Sequence, residues 1–225
     1  MPIAKFKLDL DWKLHIIDLI VVIIGVTIAF GISSAAEKRK GQKEVATILA
    51  AMSNEILQDI DIFESHQIPK NEQISADLEQ LIDMIYEDSF PPDSLAHLIR
   101  GGIGNYNWLL SRTTYESIVQ SGKIDLIANN DLKLYIRNTY EVRYSQTKYI
   151  MDQAKAIRNR IKLHLDNQVD LRDDSSYLIL AKDRKFKNLL SRYLVSLKSK
   201  VREYKTNAEV LKNLNKQIQT ELAKK

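Results

Sequence analysis

The sequence contains no cysteine, which removes disulfides, thiolate metal sites and cysteine nucleophiles from consideration. That lack is compatible with either side of a bacterial membrane. Proline and glycine are scarce, and both stop early: the last proline is Pro92 and the last glycine is Gly122. The chain after Gly122 therefore lacks both helix breakers, which favours long helices. Histidine is limited to His15, His66, His97 and His164, and no two stand at the spacing of a zinc-binding helix. Gly101-Gly102-Ile103-Gly104 has no following lysine and hydroxyl residue, so it reads as a loop and not as a phosphate-cradling P-loop. The acid pairs Asp59/Asp61 and Asp173/Asp174 read as solvated faces and caps. Nothing pairs a serine nucleophile with a base. The expectation is a non-enzyme with no catalytic, cofactor-binding or metal-binding residue and no small-molecule substrate.

What is present begins with one long apolar run. Leu19 to Ala36 carries no charged residue, and eighteen residues at 1.5 Å each span roughly 27 Å, close to the hydrocarbon thickness of a bilayer. Trp12 stands where an interfacial aromatic belongs. A cleavable signal peptide is the rival reading, with Ser34-Ala35-Ala36 as a cleavage site, but the run exceeds the usual length of a signal core. The expectation is an uncleaved transmembrane helix over 16–36, after a short tail over 1–15. Gly25, Ala29, Ser33 and Ala36 fall on one stripe, and small residues at such spacing let a second helix approach closely in lipid. Asp18 and His15, one turn apart, are candidate intramembrane ionisable residues. The favoured alternative puts Asp18 at the headgroup boundary, where it helps cap the helix start. Basic residues are balanced on the two sides of the run (Lys5, Lys7 and Lys13 with the α-amino group; Lys38, Arg39, Lys40 and Lys43). The positive-inside count is therefore tied. An extracytoplasmic C-terminal domain on a bacterial inner membrane is the expected topology, because an extreme N-terminal anchor commonly exports the long segment behind it.

Two groups of residues carry a resemblance. Trp12-x-x-His15-x-x-Asp18, a β-branched run, Gly25 and Ala29-Phe30 form the first. Thr114-Tyr115-Glu116-Ser117, Ser121-Gly122-Lys123, Leu126-Ile127-Ala128-Asn129, Leu132 and Tyr140 form the second. Together they resemble an uncharacterised family of bacterial single-span membrane proteins, a domain of unknown function. The family often has a longer acid at the place of Asp18, and Asn after the Phe where this chain continues Gly31 to Ser34. The resemblance covers about a quarter of the chain and implies a membrane-anchored helical protein, with no reaction attached.

The remainder, 37–225, reads as a helical extramembrane domain with long helices at about 37–66, 71–88, 131–168 and 184–224. Val45, Ile48, Leu49, Met52, Ile56, Ile60 and Phe63 keep helical spacing, and Ile68-Pro69 is the expected stop. Thr113-x-x-Glu116 reads as a capping box, Gly122 as a helix stop, and Asn129-Asn130-Asp131 as N-caps. Tyr135, Tyr140, Tyr144 and Tyr149 lie among basic residues. Base stacking is conceivable for them; packing with the hydroxyl at the rim is the commoner use. Leu190, Leu194, Leu197, Val201, Tyr204, Ala208, Leu211, Asn215, Ile218 and Leu222 alternate steps of four and three, the seam of a coiled coil. An antiparallel hairpin with the preceding helix is the first choice of partner. The fold class is all-α: one N-terminal transmembrane helix continuing into a long-helix bundle with coiled-coil-like C-terminal helices.

Charge is strongly polarised along this domain. Ser53 to Asp93 holds eleven acids against Lys70 alone, while Ala181 to Lys225 holds thirteen Lys/Arg against four acids. A basic C-terminal region could take an anionic partner, but opposite fields within one chain need none. The expectation is that the acidic helices of Ser53–Asp88 lie alongside the basic final helix. The functional expectation is a membrane-anchored scaffold or accessory subunit, binding membrane lipid and a second copy or another membrane protein. An ion-coupled transport or motor subunit using Asp18 is the alternative. A nucleic-acid-binding regulator is a third reading and is not favoured.

Overall fold

The computed structural model describes residues 12–89 and 92–224. Lys5 and Lys7, Phe90 and Pro91, Lys225, and the side chains of Trp12, Lys13 and His15 lie outside the described residues. Every regular element among the described residues is helical. In order they are α1 (Trp12–Ile62), a π-turn (Phe63–Gln67), α2 (Ile68–Glu87), α3 (Pro92–Gly102) and α4 (Thr113–Gln120). A 3-10 turn (Lys123–Leu126), α5 (Asn130–Arg137), a second π-turn (Asn138–Arg143) and α6 (Tyr144–Gln168) come next. A 3-10 turn (Asp174–Tyr177), α7 (Leu178–Lys182) and α8 (Arg184–Leu222) close the chain. The chain divides into two compact units, Met1–Ala46 and Thr47–Lys225, and α1 contributes to both.

In the first unit the stretch of α1 from Leu19 to Ala36 carries no charged residue, and the helix is long and apolar enough to cross a membrane. Ten large apolar side chains from Leu19 to Ile32 are each 49–72% exposed. Such a helix has no polar face to turn toward water.

In the second unit the expected stop at Ile68-Pro69 does not occur. The N–H of Ile68 bonds to Phe63 O, five residues back, and Pro69 falls in the first turn of α2, where a missing N–H is tolerated. The chain thus passes from α1 into α2 without leaving helical geometry. This run and α8 are antiparallel, as their ion pairs show: Glu64–Lys212 (2.6 Å), Glu72–Lys205 (2.7 Å) and Glu79–Lys198 (2.8 Å). The lysines are seven residues apart, whereas the glutamates are eight and then seven apart. The extra residue falls in the interval containing the π-turn, which absorbs one residue and keeps both partners in register. The acidic and basic segments therefore do lie side by side within the chain. Each pair is about half exposed and screened by solvent, so it sets register more than stability. Gly101 and Gly102 belong to the last turn of α3, so of the expected glycine loop only Ile103 and Gly104 lie outside a helix.

The α5–α6 run is also antiparallel to α8. Asn129 donates to Glu221 (2.9 Å), Tyr135 to Val210 O (3.3 Å), Arg143 pairs with Glu203 (3.1 Å) and His164 meets Asp183 (2.6 Å). Held between two runs, α8 buries two adjacent lines of residues. Of the expected seam, Leu190, Leu197, Val201, Tyr204, Ala208, Leu211 and Ile218 are buried, and Leu194, Asn215 and Leu222 are partly buried. Alongside it Phe186, Tyr193, Lys200, Asn207 and Leu214, spaced by seven, are buried as well. The main apolar core joins α2, α3, α6, α7 and α8 through residues such as Leu78, Leu81, Leu95, Ile99, Tyr177 and Phe186.

Candidate functional site

Residues 104–112 form no regular element, yet they are tied down by polar side chains from three helices, α1, α2 and α8. Backbone groups without a helical or sheet partner need such acceptors and donors when water is excluded. Tyr193 donates to Gly104 O (2.6 Å), and Asn71 to Tyr106 O (3.1 Å). The Lys200 ammonium reaches Asn105 Oδ1 (2.6 Å), Tyr106 O (3.1 Å) and Asn107 Oδ1 (3.2 Å). Trp108 N–H donates to Tyr204 Oη (3.1 Å). The segment is a strap, and its fastenings converge on an acid node.

That node is built by α1. Glu55 and Asp59, one turn apart, face the strap. Asp59 Oδ1 accepts the indole N–H of Trp108 (2.9 Å), and Oδ2 accepts the N–H of Ser111 (2.8 Å). Glu55 Oε2 accepts both the N–H and the hydroxyl of Thr114 (3.1 and 2.6 Å). The capping box expected at Thr113 and Glu116 is therefore not formed: Arg112 occupies the N-cap position without a side-chain bond. Glu55, from a distant part of the sequence, satisfies the helix start in its place. Asp59 is 1% exposed, which corrects its reading as part of a solvated face. Burial pushes its carboxyl above the ordinary value, outweighing the Trp108 and Ser111 donors, and the charge of Glu55 adds to the rise.

Aromatic rings close the node. Tyr115 stacks on Tyr140 with centroids 4.9 Å apart, and its hydroxyl donates to Glu141. Arg112 lies over Tyr144 at 4.6 Å, within cation–π range. Burial, with Glu141 adding, pushes Tyr115 up to about 12. Tyr140 is fully buried, and among the described residues its hydroxyl has no hydrogen-bond partner; Glu55 Oε1 is likewise buried and without a partner among them. Burial raises Tyr140 above its ordinary value, helped by the charges of Glu55 and Asp59. Lys200, 0% exposed, is pulled down to about 7 by burial, with Arg158 contributing. In this arrangement the Thr114 hydroxyl donates to Glu55 and the Tyr115 hydroxyl to Glu141. Among the described residues no group of three or more His, Asp or Glu is arranged to hold a metal ion.

The residues singled out in the sequence lie elsewhere. Gly25, Ala29, Ser33 and Ala36 are all exposed on α1, and Asp18 is exposed at the edge of its apolar run. The side chain of His15 lies outside the described residues. Asn129 does cap α5, accepting the N–H of Leu132 (3.1 Å), and Gly122 adopts φ 68° just past α4. Thr114, Tyr115 and Tyr140 are among the residues that carry the family resemblance, and the fold brings all three to the acid node. Sequence reasoning missed Asp59 because the apolar stripe was carried through Ile60. A strict alternation of fours and threes from Val45 through Leu49, Met52 and Ile56 lands on Asp59 and then Phe63.

Compared with known proteins, the chain matches no curated protein and no solved structure. One family model does match, over residues 18–194: a family of unknown function (DUF6090). The match contains Glu55, Asp59 and the whole strap, and it ends before Lys200 and Tyr204.

Proposed function

The chain belongs to this family of unknown function, and from that premise we propose that it is a membrane-anchored helical scaffold or accessory subunit of a complex in the bacterial inner membrane. The observation that carries the reading is the uncovered apolar stretch of α1. Its ten large apolar residues are each 49% exposed or more. Even half of the ~1.5–3 kcal/mol that each gains on burial sums to about 8–15 kcal/mol. That equals the whole stability of a typical domain, ~5–15 kcal/mol, so lipid is the natural cover. Within lipid, Gly25, Ala29, Ser33 and Ala36 offer a close-packing stripe to a second helix from another copy or another membrane protein. A Cβ added at Gly25 meets nothing within 4 Å in the chain itself. The strap and its fastenings suit the second unit to a role of presenting a fixed surface.

Two measurements test this. Alkaline carbonate washing of cell membranes should leave the chain in the pellet; release into the supernatant would contradict anchoring. Gly25→Leu combined with Ala29→Leu should abolish in-membrane crosslinking to a partner while the far-ultraviolet circular dichroism stays unchanged. Undiminished crosslinking in that variant would contradict the small-residue stripe as the contact.

A further inference from the structure

The first turn of α8 opposes the usual electrostatics of a helix start. A helix N-terminus carries the positive end of the backbone dipole and favours acids. Here α8 opens with Arg184, Lys185 and Lys187 and has no acid in its first turn. The capping Asp183 beside it is already engaged. It accepts the N–H groups of Lys185 (2.7 Å) and Phe186 (3.1 Å) and faces His164 Nε2 at 2.6 Å. Arg160 from α6 and Arg192 from two turns further along α8 join Arg184 and Lys185 around a cleft of about 290 Å³, with Asn188 and Leu189 completing its wall. An adjoining lobe of similar volume shares Arg160, Lys185 and Leu189 and extends to His164 and Asn167.

Among the described residues none of these four cations forms an ion pair, whereas Lys198, Lys205 and Lys212 further along the same helix each face a glutamate. Four like charges around one cleft repel one another. Local conflicts of this kind are concentrated at functional sites. Guanidinium groups present paired N–H donors that match two oxygens of a phosphate, and a lysine adds a mobile point charge. We propose that the cleft between α6 and the start of α8 binds a phosphate group, carried by a small soluble phosphate compound or by the headgroup of an anionic phospholipid. The anion would bridge Arg160 and Arg192 while neutralising Arg184 and Lys185 at the helix start. This site is separate from the strap and does not depend on the anchoring proposal.

The test uses the full chain in phosphatidylcholine nanodiscs at low salt, titrated calorimetrically. Inorganic phosphate probes the soluble source, and glycerophosphoglycerol, a lipid headgroup without its acyl chains, probes the other. The expected result is saturable binding of one or both probes at one per chain. The probe that binds more tightly identifies the source. Arg160→Gln with Arg192→Gln should weaken binding by about tenfold or more, the effect of losing one or two charge-assisted bonds. Arg202→Gln with Lys216→Gln removes the same charge from α8 outside the cleft and should leave affinity within about twofold, because distant exposed charges are screened. If the first double variant does not fold, Arg184→Gln, exposed in the first turn, carries the same comparison. Absence of saturable binding by either probe would overturn the proposal, as would equal weakening by the two charge-matched variants.

Discussion

Asp59 offers the sharpest test of how the second unit is held together. Its two oxygens accept two different donors, the Trp108 indole at 2.9 Å and the Ser111 N–H at 2.8 Å, in a place 1% exposed to solvent. Asp59→Ala leaves both donors buried without acceptors, at ~1–3 kcal/mol each, for a loss of roughly 2–6 kcal/mol. Asp59→Asn keeps one accepting oxygen for Trp108 but turns an amide N–H toward Ser111. It should therefore lose only one of the two bonds, ~1–3 kcal/mol. For a chain of this size each kcal/mol moves the melting temperature by about 2–4 °C. Circular dichroism melts of the detergent-solubilised chain should thus rank parent above Asn above Ala, with Ala lower than the parent by roughly 5–20 °C. A double-mutant cycle with Trp108→Phe should show coupling of about 0.5–3 kcal/mol. The pH dependence is set by the direction of the shift. Burial raises Asp59 above 3.8, so in the window just above 3.8 the folded state holds its proton when the unfolded state has released it. Stability from this group is therefore present below that window and declines as the pH rises through it. The gap between parent and Asp59→Asn should accordingly widen on acidification. An alanine variant melting within about 1 °C of the parent, or strict additivity with Trp108→Phe, would refute the idea that Asp59 fastens the strap.

Lys200 gives a prediction of opposite sign. With its folded value pulled down to about 7 from 10.5, the unfolded state binds more protons between those limits, so stability should rise with pH across them by at most ~1.4 kcal/mol per pH unit. Lys200→Met should remove that rise between pH 7.5 and 9.5 in urea titrations; an unchanged slope would count against the buried lysine as its source. Exchanging Glu72 and Lys205 should change stability by less than ~1 kcal/mol, whereas a larger loss would show that the charge ladder does more than set register. Ile24→Arg should weaken membrane retention, since arginine at mid-span costs ~2.5–3.5 kcal/mol; full retention after carbonate washing would argue against the assigned span. Asp18→Asn should leave carbonate resistance and partner crosslinking unchanged, and loss of a proton-dependent activity with assembly intact would instead favour the ion-coupled alternative.

Features governed by periodicity and composition were legible in the sequence. The uncharged run, the helical stripes, the Asn129 cap and the turn at Gly122 depend on neighbouring residues, and so does the pairing of acidic with basic segments once both are placed on long helices. What escaped were choices made across the chain. Pro69 looks like a terminator when read locally, but a π-turn puts it in a first helical turn where no N–H is needed. Thr113 looks like a cap, but Glu55 arrives from α1 to satisfy the helix start. Lys200 and Asn207 sit on a buried line of α8 that a search for apolar residues passes over, because their polar atoms are satisfied by residues 95 and 60 positions away in sequence. The strap has no pattern of its own; its order comes from side chains on α1, α2 and α8.

Anchoring in a membrane and holding a partner there is the function proposed for this chain. Native mass spectrometry after extraction in a mild detergent addresses it most directly. The expected species is a homo-oligomer, or a complex with another membrane protein, that disappears in the variant combining Gly25→Leu and Ala29→Leu. A strictly monomeric chain with no co-purifying protein, seen for parent and variant alike, would contradict it.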